Sequence, residues 1–374
     1  MNNKFPTDII SLAECGGNDF VNKNKNWPVN EKKFFKLAKN LILKHNQECA
    51  KLNTQERYVA CIDFGFIYYI IHHLNLKILE KILKEKKITA LYNGNSLQFL
   101  ETNFKNLLNP FLKSKENKLK LYIKKNILNT LYKIIFFNKK KIAIDIGSFD
   151  KSKIKYALKK NIRLKKEYPE LILKSKKVER ASKKYTQFFD KILSSVSNEI
   201  KNEFGIVLNL KKIKKISAIR LDVIEQIILR HKNIFDVNYL FASNTYDNRI
   251  RIISTIFKLN KKKSICFDHG LHANVILNKS FLYSNQIFPF TDFVTISKNS
   301  SKSLFECFKK NYLYSDLKNI NLDNIENKFL KANFDYFRKI PNKKTIKKVM
   351  IMGWPMSSRK YFEDGRYTFF YDRI

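Results

Sequence analysis

The chain has 374 residues, room for two or three domains and a large core, so it needs no staple of disulfides or metal to fold. Its 44% hydrophobic and 14% aromatic content, with only 9 Gly and 7 Pro, excludes a disordered or collagen-like chain. The 73 Lys+Arg against 33 Asp+Glu, a formal +40, point to an anionic partner such as nucleic acid, a membrane face or a phosphorylated substrate.

That charge does not choose among the three. The excess is mostly Lys interleaved with Asn and Ile, as in KSKIKYALKKNIRLKK, a mixture that an AT-rich coding sequence would also produce. The cysteines at 15, 49, 61, 266 and 307 show neither CxxC pairing nor zinc spacing and read as reduced core residues of a cytosolic protein. MNNKFPTDII lacks the basic and apolar regions of an export signal. The longest apolar runs, such as FGFIYYII at 64–71, fall far short of the ~20 residues that span a bilayer. The expected location is cytoplasmic, with the inner membrane surface as a peripheral contact.

In chain order, Trp27-Pro28 marks a turn into a helix over 31–49, EKKFFKLAKNLILKHNQEC, with apolar residues at helical spacing. RYVACIDFG at 57–65 reads as a strand ending in Asp63 and Gly65, FIYYIIHHLNLKILEKILKEKK as a long helix, and KITALYNGN at 87–95 as a second strand. Strand, helix and strand with turn residues at the strand ends predict βαβ units and a parallel sheet. KKKIAIDIG at 139–147 ends a further strand in Asp145 and Gly147. The stretch at about 150–235 is basic and mostly helical, and is expected to be a helical insertion or layer. NYLFASN, SICFDHG and TDFVTIS then predict strands at 238–244, 264–270 and 291–297, with TYDNRIRIISTIFKLNKKK a helix between the first two and SKSLFECFKK a helix after the third. PNKKTIKK reads as a linker and VMIMGWP at 349–355 as one more strand. The expected fold is α/β: a Rossmann-like domain over 1–340, then a linker and the start of a truncated second α/β domain over 341–374.

In open parallel sheets, ligands bind at the carboxyl ends of the strands. Asp268, His269 and Gly270 fall at such an end, where a near-neutral histidine can exchange a proton with an attacking hydroxyl. His269 is the first catalytic candidate and Asp268 the second, although the same three residues would also serve simply to turn the chain. His272 adds a second histidine, but no cluster in the sequence completes a metal site. Ser243, Asn244 and Arg249 end the preceding strand and open its helix, suited to capping or to a hydroxyl or phosphate with Arg249 or Arg251 as counter-charge. Gly353, Ser357, Ser358 and Arg359 follow the last expected strand and suit a donor diphosphate, without a P-loop or dinucleotide fingerprint.

The succession YLFASNTYDNRIRIISTIFKLNKKKSICFDHGLHANVIL, FPFTDFVTIS, KKVMIMGWP over roughly 235–355 resembles bacterial surface-carbohydrate biosynthesis proteins of the two-domain GT-B glycosyltransferase type, and more distantly CDP-glycerol glycerophosphotransferases. His269-Gly270 match a His-Gly pair of such proteins, Asp268 stands where Gln is commoner, and Asp292 matches a later Asp. The resemblance implies transfer of a sugar from a nucleotide-sugar substrate to a glycan or lipid-linked acceptor, with Asp292 beside the substrate and no separate cofactor. The donor-binding half would be largely missing from such a chain, which implies a partial or inactive protein. Two other readings stand beside it. One is a basic nucleic-acid-binding protein, which the even spread of Lys and the lack of zinc-finger or RRM signatures weigh against. The other is a non-catalytic remnant or scaffold.

Overall fold

The computed structural model describes residues 31–67, 70, 74, 77, 117–148, 150–174, 180–243, 247–268, 287–295 and 298–325. The linker and strand expected over 341–355, the strand expected at 87–95 and the start of a second domain lie outside these residues. The first helix, α1 (Glu31–Ala50), buries Leu37, Leu41, His45 and Cys49 along one side, the four-residue spacing of a single helical face. The strand expected from RYVACIDFG is instead partly helical: α2 spans Thr54–Ala60. Its physical reason lies just upstream, where the Asn53 side chain accepts from the Glu56 backbone N–H. Asn-x-x-Glu is a helix-start signature, and it prevails over a short apolar run.

Next come α3 (Lys118–Ile135), β1 (Lys141–Ile146), α4 (Lys151–Lys159), β2 (Ile162–Lys166), α5 (Pro169–Ile172), α6 (Lys183–Phe204) and α7 (Leu210–His231). The second half holds β3 (Tyr239–Ala242), α8 (Asn248–Leu259), β4 (Lys263–Phe267), β5 (Asp292–Thr295), α9 (Lys298–Phe308), α10 (Tyr314–Leu317) and β6 (Asn321–Asn324). Among the described residues the strands form one open sheet in the order β2-β1-β3-β4-β5-β6, and every neighbouring pair is parallel. The fold is therefore a Rossmann-like α/β sheet, as expected. The stretch expected to be a helical insertion supplies edge strand β2 as well as α6 and α7.

Side chains alternate across the sheet. Ile144, Ile146, Leu240, Ala242, Cys266 and Phe293 enter the larger core with α1, α6, α7 and α8. Ala143, Phe241, Ile265, Phe267 and Val294 point the other way, to a smaller core with Tyr132 and Phe136 at the end of α3 and Tyr156 of α4. This is the period of two that a sheet covered on both faces requires. The described cysteines 49, 61, 266 and 307 are free thiols, and the first three are buried. No described helix is long and apolar enough to cross a membrane.

His45 gives the larger core a pH dependence. Its ring lies 4.3 Å from Phe64 and 5.4 Å from Phe188, centroid to centroid, and Nε2 is 3.2 Å from the Ala60 carbonyl. Burial pushes its pKa down to about 4, below the ~6.5 of an unfolded histidine. The unfolded chain therefore takes the proton first as pH falls. Stability present above pH ~6.5 is lost on the way down through pH ~4, by roughly 3 kcal/mol from this group. Urea unfolding of the protein and of His45→Phe between pH 7 and 4 checks this: the wild type should lose more stability by that amount, and parallel pH curves would refute it.

Candidate functional site at the carboxyl edge

The chain leaves β1 toward β2 on one side, then crosses back so that β3 lies on the other side of β1. In parallel α/β sheets such a reversal opens a crevice at the carboxyl ends, and ligands bind there. At this point the two strand ends touch through backbone. Gly147 has φ +83°, and a Cβ added to it would lie 2.1 Å from the Ser243 carbonyl oxygen. Only glycine satisfies both conditions. The neighbouring hydroxyls close the junction: Ser148 Oγ and Ser243 Oγ are 3.1 Å apart, and Ser243 Oγ donates to the Ser148 carbonyl at 3.0 Å.

A buried ionic cluster supports this turn from the α3/α4 side of the sheet. Asp145 and Lys166 are register partners on β1 and β2, so their side chains project from the same face. Asp145 is fully buried, and Lys153 and Lys166 are only 1% and 2% exposed. Asp145 pairs with Lys153, accepts from Lys166 Nζ at 3.1 Å, and accepts from Tyr132 Oη at 2.9 Å. Both ammoniums reach onward to the turn, Lys153 to the Ile146 carbonyl at 3.1 Å and Lys166 to the Gly147 carbonyl at 2.5 Å. Two lysines share one carboxylate, since the nearby Glu167 is held by Lys125 at 2.7 Å. Burial pulls the Lys166 ammonium below the usual lysine range, against the opposing pull of Asp145.

On the other face, the start of α8 carries a second network. Asp247 caps the helix by accepting from the Arg249 backbone N–H at 2.8 Å. The Arg249 guanidinium binds Asp247 at 2.7 Å and Glu170 at 2.8 Å. Arg249, expected as a phosphate counter-charge, therefore already faces two carboxylates. Buried Asp63 pairs with Arg220 and accepts from Asn248 Nδ2 at 3.2 Å. Burial opposes its charge, but Arg220, the Gly65 N–H and Arg251 together hold the carboxyl below its ordinary range.

Ser243 and Asp268 both lie at the carboxyl edge, beyond the ends of neighbouring strands β3 and β4. Asp268 is buried, and its backbone N–H donates to the Val294 carbonyl at 2.9 Å. Burial raises the adjacent Cys266 thiol, and Asp268 raises it further. Asp292 does not join them. It opens β5 in register with Ile265, and its carboxylate accepts from Thr291 Oγ1 at 2.6 Å and Asn321 Nδ2 at 3.2 Å. His269, Gly270, His272, Asn244, Gly353, Ser357, Ser358 and Arg359 lie outside the described residues.

Lys153, Lys166, Tyr132 and Ser148 are the members of the edge that sequence reasoning missed. The legible signal was DIGS at 145–148, a strand end of the same form as the others. The lysines were hidden among dozens of solvent-facing ones. Among the described residues no group of three or more His, Cys, Asp or Glu could hold a metal ion. No family model matches the chain, and neither does any curated protein or solved structure.

Proposed function

We propose that this chain serves the transfer of a sugar from a nucleotide-activated donor to a glycan or lipid-linked acceptor, in the manner of GT-B-type surface-carbohydrate enzymes, with the reaction at the carboxyl edge of the sheet. The observation that carries the reading is the reversal between β1 and β3, where Gly147 lets two strand ends meet and two buried lysines brace the turn.

In this reading an acceptor O–H attacks the anomeric carbon, a new C–O bond forms, and the bond to the donor diphosphate breaks. The proton passes to His269 or to the adjacent Asp268, and the nucleoside diphosphate leaves. Lys153 and Lys166 are positioning residues: they hold the Ile146 and Gly147 carbonyls and fix the turn, while the positive excess beneath it favours an anionic leaving group. In this reading Ser148, exposed at the turn, is the hydroxyl that would touch substrate.

Turnover of a nucleotide-sugar panel with lipid-linked and free glycan acceptors tests the reading. Asp268→Asn should lower kcat by ~10²–10⁴-fold if Asp268 carries the proton, the usual contribution of a positioned acid or base, with a smaller change in KM. His269→Ala should do the same if it carries the proton. Absence of turnover in the wild type across the panel, with no thermal stabilisation by any donor, would remove the transferase reading. Tight nucleic-acid binding that weakens steeply with salt would replace it.

A further inference from the structure

The strongest unabsorbed feature is the outward side of α3. At about 100° per residue, the residues that pack inward, Leu121 and Tyr132, lie on one side of the helix. Leu119, Ile123, Ile127 and Ile134 lie on the opposite side, turned away from the sheet. All four are more than half exposed, Ile134 at 70%, and Phe137 just beyond the helix is 76% exposed. A helix that is apolar on both sides normally has both covered. This one buries one side against β2 and its neighbours and, among the described residues, leaves an apolar ridge exposed on the other.

The charges beside the ridge select what would cover it. From Asn117 to Ile144 the chain has eight lysines and no Asp or Glu. The exposed Lys120 and Lys124 flank one side of the ridge and Lys133 the other. A second copy of the chain docking α3 against α3 would place these lysines against their own equivalents, since a two-fold contact brings the same patch together. A lipid surface with anionic headgroups answers both features at once: acyl chains for the isoleucines and headgroup charge for the lysines.

We propose that α3 is a membrane-docking helix, lying in the plane of an anionic lipid surface with Leu119, Ile123, Ile127 and Ile134 inserted at the headgroup boundary. Its 18 residues give a contact line of about 27 Å. The proposal does not depend on the transferase reading, although a lipid-linked acceptor would profit from it.

The test is vesicle co-sedimentation of the full chain at physiological ionic strength, with phosphatidylcholine alone and with phosphatidylcholine mixed with phosphatidylglycerol. A chain of +40 can adsorb to anionic vesicles by charge alone, so the decisive variant keeps every charge: Ile123→Gln with Ile127→Gln. The expected result is binding to the anionic vesicles only, weakened at least ~tenfold by this pair. A second variant, Lys120→Gln, Lys124→Gln and Lys133→Gln, should also weaken binding and make the remainder less sensitive to salt. All these positions are exposed, so melting temperatures should stay near wild type. The proposal is overturned by absence of vesicle binding, by equal binding to both vesicle types, or by an isoleucine pair variant that binds like the wild type. A change in oligomeric mass on mutating the isoleucines, without a change in vesicle binding, would assign the ridge to a protein partner instead.

Discussion

Asp145→Asn should destabilise the protein by about 3–5 kcal/mol, the cost of removing one partner from a buried ionic cluster. The substitution is nearly isosteric, so the loss is electrostatic rather than a cavity. Lys153 and Lys166, 1% and 2% exposed, would keep the Ile146 and Gly147 carbonyls and one neutral amide oxygen to share as acceptors, with no counter-charge left at position 145. The effect should depend on pH with a definite sign. Burial already holds the Lys166 pKa below 10.5 while Asp145 pulls it upward, so losing Asp145 drops it further. Between that lowered value and 10.5 the unfolded chain binds more protons than the folded one. Stability of the variant should therefore recover as pH rises and be regained most fully above 10.5. Lys166→Met should cost much less, because it removes a desolvated cation and leaves Asp145 paired with Lys153. Urea denaturation of the three proteins at neutral and alkaline pH checks the set. An Asp145→Asn variant within about 1 kcal/mol of wild type would mean that the cluster is not an ionic network.

Gly147→Ala should be comparably severe, at about 2–6 kcal/mol. Backbone strain at φ +83° contributes about 1–3 kcal/mol for a residue with a side chain. The new Cβ, 2.1 Å from the Ser243 carbonyl oxygen, adds the cost of forcing atoms into a packed site, ~1–3 kcal/mol. The obstructing atom is backbone, so no rotamer change relieves it; β1 and β3 must move apart at their carboxyl ends. Ligand affinity at the crevice should fall with stability. Ser148→Ala, which removes an exposed hydroxyl and its 3.1 Å hydrogen bond with Ser243 Oγ while the Ser243 hydroxyl keeps the Ser148 carbonyl, should stay within about 1 kcal/mol of wild type in stability. Thermal and urea unfolding of both variants separate these outcomes, and a Gly147→Ala protein as stable as Ser148→Ala would contradict the close strand contact.

Much of this arrangement is readable from the sequence. IAIDIG, YLFA and SICF are short, mostly apolar runs followed by Ser148, Ser243 and Asp268, and each supplies a central strand of the parallel sheet. They are legible because a strand covered on both faces carries apolar side chains in succession. RYVACIDFG misleads because the Asn53 cap starts a helix upstream that runs into it as far as Ala60, and four or five apolar residues cannot by themselves distinguish helix from strand. In β2, IRLKK, Lys166 occupies a buried position, so the inward-facing alternation looks broken. β6, NLDN, is a four-residue edge strand with partly exposed side chains and carries almost no apolar signal.

The site divides along the same line. Ser243 and Asp268 lie at strand ends, where turn chemistry marks them. Asp292 looks equivalent, but a one-dimensional pattern does not say that it opens its strand while Asp268 follows one. Lys153 and Lys166 depend on a partner 8 and 21 residues away, a relation that exists only once β1 and β2 pair and α4 packs over them. Arg249 reads from the sequence as a cation at a helix start, but its neutralisation by Glu170 requires the fold.

Hydrogen–deuterium exchange with and without nucleotide-sugars tests the central claim, that the crevice between β1 and β3 is the ligand site. The account predicts that a donor which stabilises the protein slows exchange in peptides covering Gly147–Ser148, Ser243 and Asp268, and that this protection disappears in Gly147→Ala under conditions where the variant remains folded. Protection confined to other parts of the chain, with these three segments unchanged, would contradict it.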